Sequence, residues 1–276
     1  KSFIHRGKNR VILPEKSSQI FDPISQNRIN CMPSTILDEN LCGIKWVSVF
    51  PTNANKNIEN VNGITLLSEI KTGQPIAIVN STWLTKFRTA GVAALASEYL
   101  AKKGSKAIGF IGAGEEAKMH LEVFKHMHPS IKECRVSSRT HKSCVKFVEA
   151  LSKKYEDINF TICDNNFEKA IRGSDIVVTA ISGQEAVLKA DWLDKANFYV
   201  HVGGFEDEYD VALKADKIVC DEWDAVKHRG SQTISKMYQD GLLNDENIYA
   251  ELSEIILEKK GGRDEKDRFI YFNSVG

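Results

Sequence analysis

Nowhere does the chain hold a run of about 18 consecutive apolar residues, so no membrane-crossing helix is expected. An excess of charge of one sign is also missing. Lys+Arg and Asp+Glu each number 37, giving a formal net charge of zero. That balance argues against a nucleic-acid-binding surface, though not against a local basic pocket for a small anion. No CxxC pair occurs among Cys31, Cys42, Cys134, Cys144, Cys163 and Cys220. Three of them, Cys134, Cys163 and Cys220, fall in apolar β-like runs, where a free cysteine behaves as a small hydrophobe. Scattered cysteines of this kind suit a reducing cytoplasm rather than a disulfide framework. A secretory leader is not expected, since no signal-peptide pattern is seen at the start, and an internal repeat, a low-complexity tract and a long Pro/Gly/Ser linker are absent from the sequence.

What is present is ordinary globular material: 276 residues, 42% hydrophobic and 27% charged. At roughly 100–200 residues per domain, two domains are expected. The first 80 or so residues carry short β-like runs at Arg10–Leu13, Arg28–Met32, Gly43–Val49, Gly63–Glu69 and Pro75–Asn80. The turns between them are short, which predicts an antiparallel sheet. A helix pattern follows from Trp83 to Lys103, with Gly104 as its stop.

Strands and helices then alternate, the pattern of a mostly parallel sheet covered on both faces. Predicted strands are Ala107–Ile111, Cys134–Ser137, Asn159–Cys163, Ile176–Ala180, Phe198–Val202 and Lys217–Cys220. From Asp221 to about Lys260 the chain reads as helical, and a last strand, Arg268–Phe272, is expected to return to the first domain. The expectation is an α/β fold: a Rossmann-type doubly wound domain over 105–245, and a mixed α/β substrate and dimerisation domain from 1–104 and 246–276.

Residues 107–117 run from an apolar strand into Gly112-x-Gly114-x-x-Ala117 and then a helix. Gly112 permits the tight turn. Gly114 lets the backbone approach a pyrophosphate, with Ala113 between them. The small Ala117 lets helix and strand pack closely. The helix N-terminus offers N–H groups and a positive dipole end to the phosphates. A lone glycine turn is weak evidence, but here the flanking strand, helix and further strands agree. The cofactor is therefore read as NAD(P). An NAD site usually has an acidic residue at the end of the second strand to hold the ribose 2′-hydroxyl. Here the chain reads Ser138-Arg139-Thr140. Arg139 suits a 2′-phosphate and the two hydroxyls can bond it, which favours NADP(H).

The order of motifs resembles the ornithine cyclodeaminase/mu-crystallin family over essentially the whole chain. The residues that carry it are Gly43-Ile-Lys45-Trp46, Lys86-Phe-Arg88-Thr-Ala, Gly112–Ala117, Val202-Gly203-Gly204 and Asn273-Ser-Val-Gly276. Cys31-Met-Pro-Ser34, Asp221-Glu-Trp223 and Gly262-Arg-Asp264 are most similar to the branch of N-(2-amino-2-carboxyethyl)-glutamate dehydrogenases, which make 2,3-diaminopropionate for siderophores and antibiotics. The resemblance implies a homodimer joined through the first domain, an imine intermediate, and an amino-acid-derived substrate. It implies that Lys45 contacts substrate, that Arg88 grips a substrate carboxylate, and that Lys16 is a second carboxylate-binding cation. Thr179 and Gly203, at strand ends, join the expected cofactor contacts. Two departures bear on the chemistry. Asn30 stands where cyclodeaminases have an acidic residue, and Phe205 where they have the aspartate that drives ornithine cyclisation. Plain dehydrogenase chemistry, oxidative cleavage of an amino-acid conjugate, is the expectation. The alternatives are an ornithine cyclodeaminase or cyclic-imine reductase, and a mu-crystallin-like binding protein without turnover.

The same residues admit plainer readings. Lys45 alternates with apolar neighbours and fits the solvent face of a strand. Arg88 sits near a helix start, where the dipole disfavours a cation, so an anion partner is implied. Glu206, Asp207 and Glu208 read as a solvated charge run, with Glu206 the candidate acid/base. His201 lies in an apolar strand and reads as a wall residue or a weaker acid/base candidate. His126 and His128 have no carboxylate or cysteine at ligand spacing, and no metal site is expected.

Overall fold

The computed structural model describes residues 1–22, 24–56 and 58–274. Val275 and Gly276, which end the closing motif, lie outside the described residues. The chain divides into two compact units, Lys1–Lys86 and Phe87–Gly276.

The first unit opens with α1 (Ser2–Gly7) and continues through β1 (Val11–Ile12), β2 (Ser17–Asp22), β3 (Asn27–Ile36), β4 (Leu41–Val49), β5 (Val61–Glu69) and β6 (Pro75–Asn80). All pairings are antiparallel, in the order β1-β3-β4-β5-β6, with β2 also on β3. The five predicted strands are present, and β2 is an addition. One face of this sheet is apolar and open. In register, Trp46 faces Ile64, Ile44 faces Leu66, and Leu66 faces Ile78. Trp46, Ile64 and Ile78 are 42%, 50% and 75% exposed, a patch of the kind that marks an interaction surface.

α2 (Thr82–Leu100) is Ala-rich, with Ala90, Ala93, Ala96 and Leu100 fully buried. The second unit alternates as predicted: β7 (Ala107–Ile111), α3 (Glu115–Met127), β8 (Glu133–Ser137), α4 (His141–Leu151), β9 (Asn159–Ile162), α5 (Phe167–Ile171), β10 (Ile176–Thr179) and β11 (Phe198–His201). Then come α6 (Tyr209–Leu213), β12 (Lys217–Cys220), α7 (Trp223–Lys227), α8 (Thr233–Gln239), β13 (Ile248–Glu251), α9 (Leu252–Ile256) and β14 (Ile270–Asn273). The eight strands form one sheet in the order β13-β12-β14-β11-β10-β7-β8-β9. Every pairing is parallel. Every residue of β7, β10, β11 and β14 is buried, as in a parallel sheet covered on both faces. The strand order reverses between β7 and β10, the switch point at which open α/β sheets bind their ligands.

Three expectations need correction. The boundary between the units falls inside α2, at Lys86/Phe87 rather than after Gly104. The stretch 246–276 does not rejoin the first unit. β14 sits between β11 and β12, and its four residues are buried, which suits the interior of a parallel sheet. Finally, the chain from Asp221 to Lys260 is not wholly helical. Ile248–Glu251 adds to the sheet edge beside β12, and only Leu252–Ile256 of the expected helix forms there, with Leu252 and Ile255 packed inward.

Candidate functional site

At the end of β7 the backbone turns through Gly112, whose φ of +111° is closed to ordinary side chains. A Cβ there would stand 2.3 Å from the Ala180 carbonyl oxygen, so the turn presses against the end of β10. Gly114 is different: a Cβ there would meet nothing within 4 Å. It is the N-cap of α3 and brings no side chain to the helix N-terminus. Ala117 is fully buried against the sheet. A tight turn, an open space over Gly114 and a 13-residue helix aimed at that space fit the pyrophosphate of a dinucleotide.

Neighbouring strand ends carry the rest of the row. Ile111 is in register with Thr179, Thr179 with His201, and His201 with Asn273. Glu206 joins two of the loops that leave them. Its carboxylate accepts from the Thr179 hydroxyl at 2.7 Å and from the backbone N–H groups of Ile181 (2.6 Å), Val202 (3.2 Å) and Gly203 (2.9 Å). Burial pushes its pKa up, and these four donors pull back toward the charged form. A fully buried carboxylate engaged in this way has no free oxygen to offer a substrate. The expectation that Glu206 acts as acid/base therefore gives way to one in which it braces the loops after β10 and β11. Thr179 and Gly203, read as cofactor contacts, are two of the groups it ties down.

Asp207 is also fully buried, so the charge run is not a solvated loop. Its Oδ1 lies 2.7 Å from the Thr233 hydroxyl and 3.2 Å from those of Tyr199 and Tyr271. His201 Nε2 bonds the Gly204 carbonyl and so carries the ring proton, leaving Nδ1 to accept from Tyr271 at 2.7 Å. Thr179 gives its proton to Glu206 and accepts from Tyr199 at 2.8 Å. The Thr233, Tyr199 and Tyr271 hydroxyls all meet the same Asp207 oxygen, while its buried Oδ2 has no hydrogen-bond partner, so the charged form is poorly compensated. Desolvation acts in the same direction, raising its pKa from 3.8 to about 7. Burial lowers that of His201 to about 4, so the ring stays neutral. Sequence reasoning missed this cluster because its members come from five separate segments.

The sign of the resulting pH dependence is fixed. The unfolded chain releases the Asp207 proton near 3.8 while the native chain keeps it to about 7. Stability therefore falls as pH rises through that window and is level above it. Asp207→Asn, which keeps an acceptor oxygen for these hydroxyls but cannot ionise, is expected to flatten this part of the profile. Thermal melts of both proteins at several pH values check it, and parallel curves would refute a buried, protonated Asp207.

Arg88, on α2, is strongly desolvated, which lowers its pKa, while the charges of Asp221 and Glu116 act to raise it. Its Nε has no hydrogen-bond partner. Glu116 lies in the first turn of α3. Asp221 follows β12, and its N–H donates to the Asn273 carbonyl at 3.2 Å. The structure thus brings Arg88 to the ends of these strands, near the phosphate turn. Lys45 lies on β4, opposite Met32 and Thr65, and is half-buried; Lys16 precedes β2 and is also half-buried. Both belong to the other unit. Ser138, Arg139 and Thr140 follow β8, with Arg139 exposed and Thr140 capping α4 by accepting from Ser143 N–H. His128 bonds the Ser97 hydroxyl at 2.7 Å.

The profile of the ornithine cyclodeaminase/mu-crystallin family matches residues 11–276. The N-((2S)-2-amino-2-carboxyethyl)-L-glutamate dehydrogenase of Staphylococcus aureus is 30% identical over 252 residues, covering 91% of this chain and 74% of the relative. A Δ1-pyrroline-2-carboxylate reductase of Thermococcus litoralis, solved with NADH and L-proline, superposes with a TM-score of 0.92 at 29% identity, covering all of this chain and 85% of that one. An archaeal alanine dehydrogenase dimer with bound NAD gives 0.85 at 26%, with the same coverage. Profile, relatives and architecture agree: the chain belongs to the ornithine cyclodeaminase/mu-crystallin family.

Proposed function

We propose that the chain is a nicotinamide-dependent amino-acid dehydrogenase that cleaves an N-linked amino-acid conjugate oxidatively, giving 2,3-diaminopropionate and a 2-keto acid. The observation that carries this reading is the Gly203-Gly204-Phe205 loop. Phe205 takes the place of an aspartate, and the next carboxylate, Glu206, is spent on backbone N–H groups. Nothing in that loop can handle the amine proton as ring closure of ornithine requires. The similarity to the S. aureus dehydrogenase supports the same choice.

The Gly112–Ala117 turn and the N-terminus of α3 would hold the pyrophosphate, and the strand ends at Thr179 and Gly203 would border the nicotinamide. When bound, the nicotinamide supplies a two-electron acceptor for the hydride on the carbon bearing nitrogen. Arg88 presents a planar fork to a substrate carboxylate and so orients that carbon. Lys45, with Lys16, supplies further cations for a substrate with several carboxylates. Water then adds to the imine carbon, and the C–N bond breaks to release the amine. NADP(H) is favoured through Arg139. A cytoplasmic homodimer belongs to the same reading, with the open face around Trp46, Ile64 and Ile78 as the subunit contact. Trp46→Glu is expected to convert dimer to monomer, as measured by light scattering; an unchanged mass would place the contact elsewhere.

The decisive experiment mixes the protein with NAD or NADP and N-(2-amino-2-carboxyethyl)-glutamate, L-alanine, L-proline or L-ornithine. Reduced-nicotinamide absorbance with the conjugate alone is the expected result. Turnover of proline would favour the second reading, a cyclic-imine reductase, which the T. litoralis superposition supports. Ammonia from ornithine without net reduction would indicate cyclodeamination, and silence with every compound would leave a binding protein.

A further inference from the structure

The end of β8 carries no acidic residue, yet an acid reaches the same place from the next strand. Gly112 N–H bonds the Ser137 carbonyl at 2.9 Å, which ties the phosphate turn to the end of β8. Ser138 N–H and the Ser137 hydroxyl both donate to the Asp164 carbonyl, at 2.9 and 2.5 Å. Asp164 follows β9 in the left-handed conformation, φ +49°, which aspartate tolerates better than most residues. Its exposed carboxylate lies 2.5 Å from His141 Nδ1, at the first position of α4. Arg139 and Lys142, beside His141 in the chain, are exposed, and the first turn of α4 has no acid of its own.

We propose that His141 is a specificity residue for the adenosine end of the cofactor: by engaging Asp164 it withholds that carboxylate from the ribose. A free carboxylate here would accept from a ribose 2′-hydroxyl and repel a 2′-phosphate, the usual basis of NAD choice. With one of its oxygens held by His141, the carboxylate does both more weakly, and Arg139 is left to meet a 2′-phosphate. The inference rests on dinucleotide binding but not on which dinucleotide is preferred.

The test is a fluorescence titration of NADH and NADPH against wild type, His141→Ala, Asp164→Ala and the double variant, with thermal melts as folding controls. The quantity read is the ratio of the two dissociation constants. His141→Ala is expected to shift it toward NADH by at least about tenfold, the worth of a charged hydrogen bond. Asp164→Ala is expected not to shift it toward NADH, and the double variant to return close to wild type, because the effect of His141 runs through Asp164. A ratio within about twofold of wild type in His141→Ala overturns the proposal at the level of a single such bond. So does a double variant as shifted as His141→Ala, since His141 would then act on the phosphate directly. Wild type that prefers NADH removes the NADP(H) preference while the cycle still decides the role of His141. Wild type that binds neither dinucleotide defeats both readings.

Discussion

Gly114→Val abolishes dinucleotide binding while leaving the protein folded, and Gly112→Ala does the reverse damage first: these are the outcomes expected of two glycines only two residues apart. A side chain on Gly114 enters space that no protein atom occupies within 4 Å, so the native fold has no reason to change. That space is where the pyrophosphate must approach the backbone. The loss in affinity should exceed about a hundredfold, roughly 2.7 kcal/mol. Gly112 combines φ +111° with an Ala180 carbonyl 2.3 Å from any Cβ. Even alanine must displace the end of β10, at a cost of several kcal/mol on the scale of strained backbone plus steric overlap, about 1–3 kcal/mol for the backbone part alone. Calorimetric titration and thermal melts separate the two. Normal cofactor affinity in Gly114→Val would remove the dinucleotide site from this turn.

Arg88→Ala is expected to lower kcat/KM, for whichever substrate the screen identifies, by about 3–5 kcal/mol in transition-state terms, because a bound carboxylate loses its desolvated partner. The guanidinium is desolvated, has an unpartnered Nε, and feels Asp221 and Glu116. Arg88→Lys keeps the charge but not the two-pronged fork, so catalysis should still suffer markedly. Cofactor affinity should move much less. If Arg88 serves only to balance Asp221 and Glu116, both variants would lose thermal stability while the folded fraction kept wild-type kcat/KM. Asp221→Asn in the Arg88→Ala background would then recover that stability.

The phosphate turn was legible in the sequence because its determinants are local. Gly112, Gly114 and Ala117 each answer to a backbone or packing demand within a few residues. Arg88 was singled out as a cation near a helix start, yet α2 begins at Thr82 and places it nearly two turns in; what marks it in the structure is its desolvation beside Asp221 and Glu116. Glu206 and Asp207 were not legible. Three consecutive acids look solvated, yet Glu206 and Asp207 are buried; the groups that make this tolerable, the N–H groups of Ile181, Val202 and Gly203 and the hydroxyls of Thr179, Tyr199, Thr233 and Tyr271, come largely from other segments. Asp164 was hidden likewise, since it comes to the end of β8 from β9 through a left-handed residue. The extent of the second unit was misjudged because Ile270–Asn273 carries no local mark of which sheet it joins. Its place is set by having β11 on one side and β12 on the other.

That placement of β14 has a consequence for how the protein comes into being. On a ribosome, β7 to β13 emerge before Ile270–Asn273 exists, and β12 and β13 have no hydrogen-bonded link to β11 except through it. The nascent sheet is therefore in two pieces, each showing a bare strand edge of the kind that recruits other chains. Ile270–Asn273, made after β13, must come back and slide between them, a long-range closure that is slow by its topology. Until β14 has been made, β11 and β12 each present an unpaired inner edge, so the nucleotide turn can be complete in the chain while the sheet that carries it is still open.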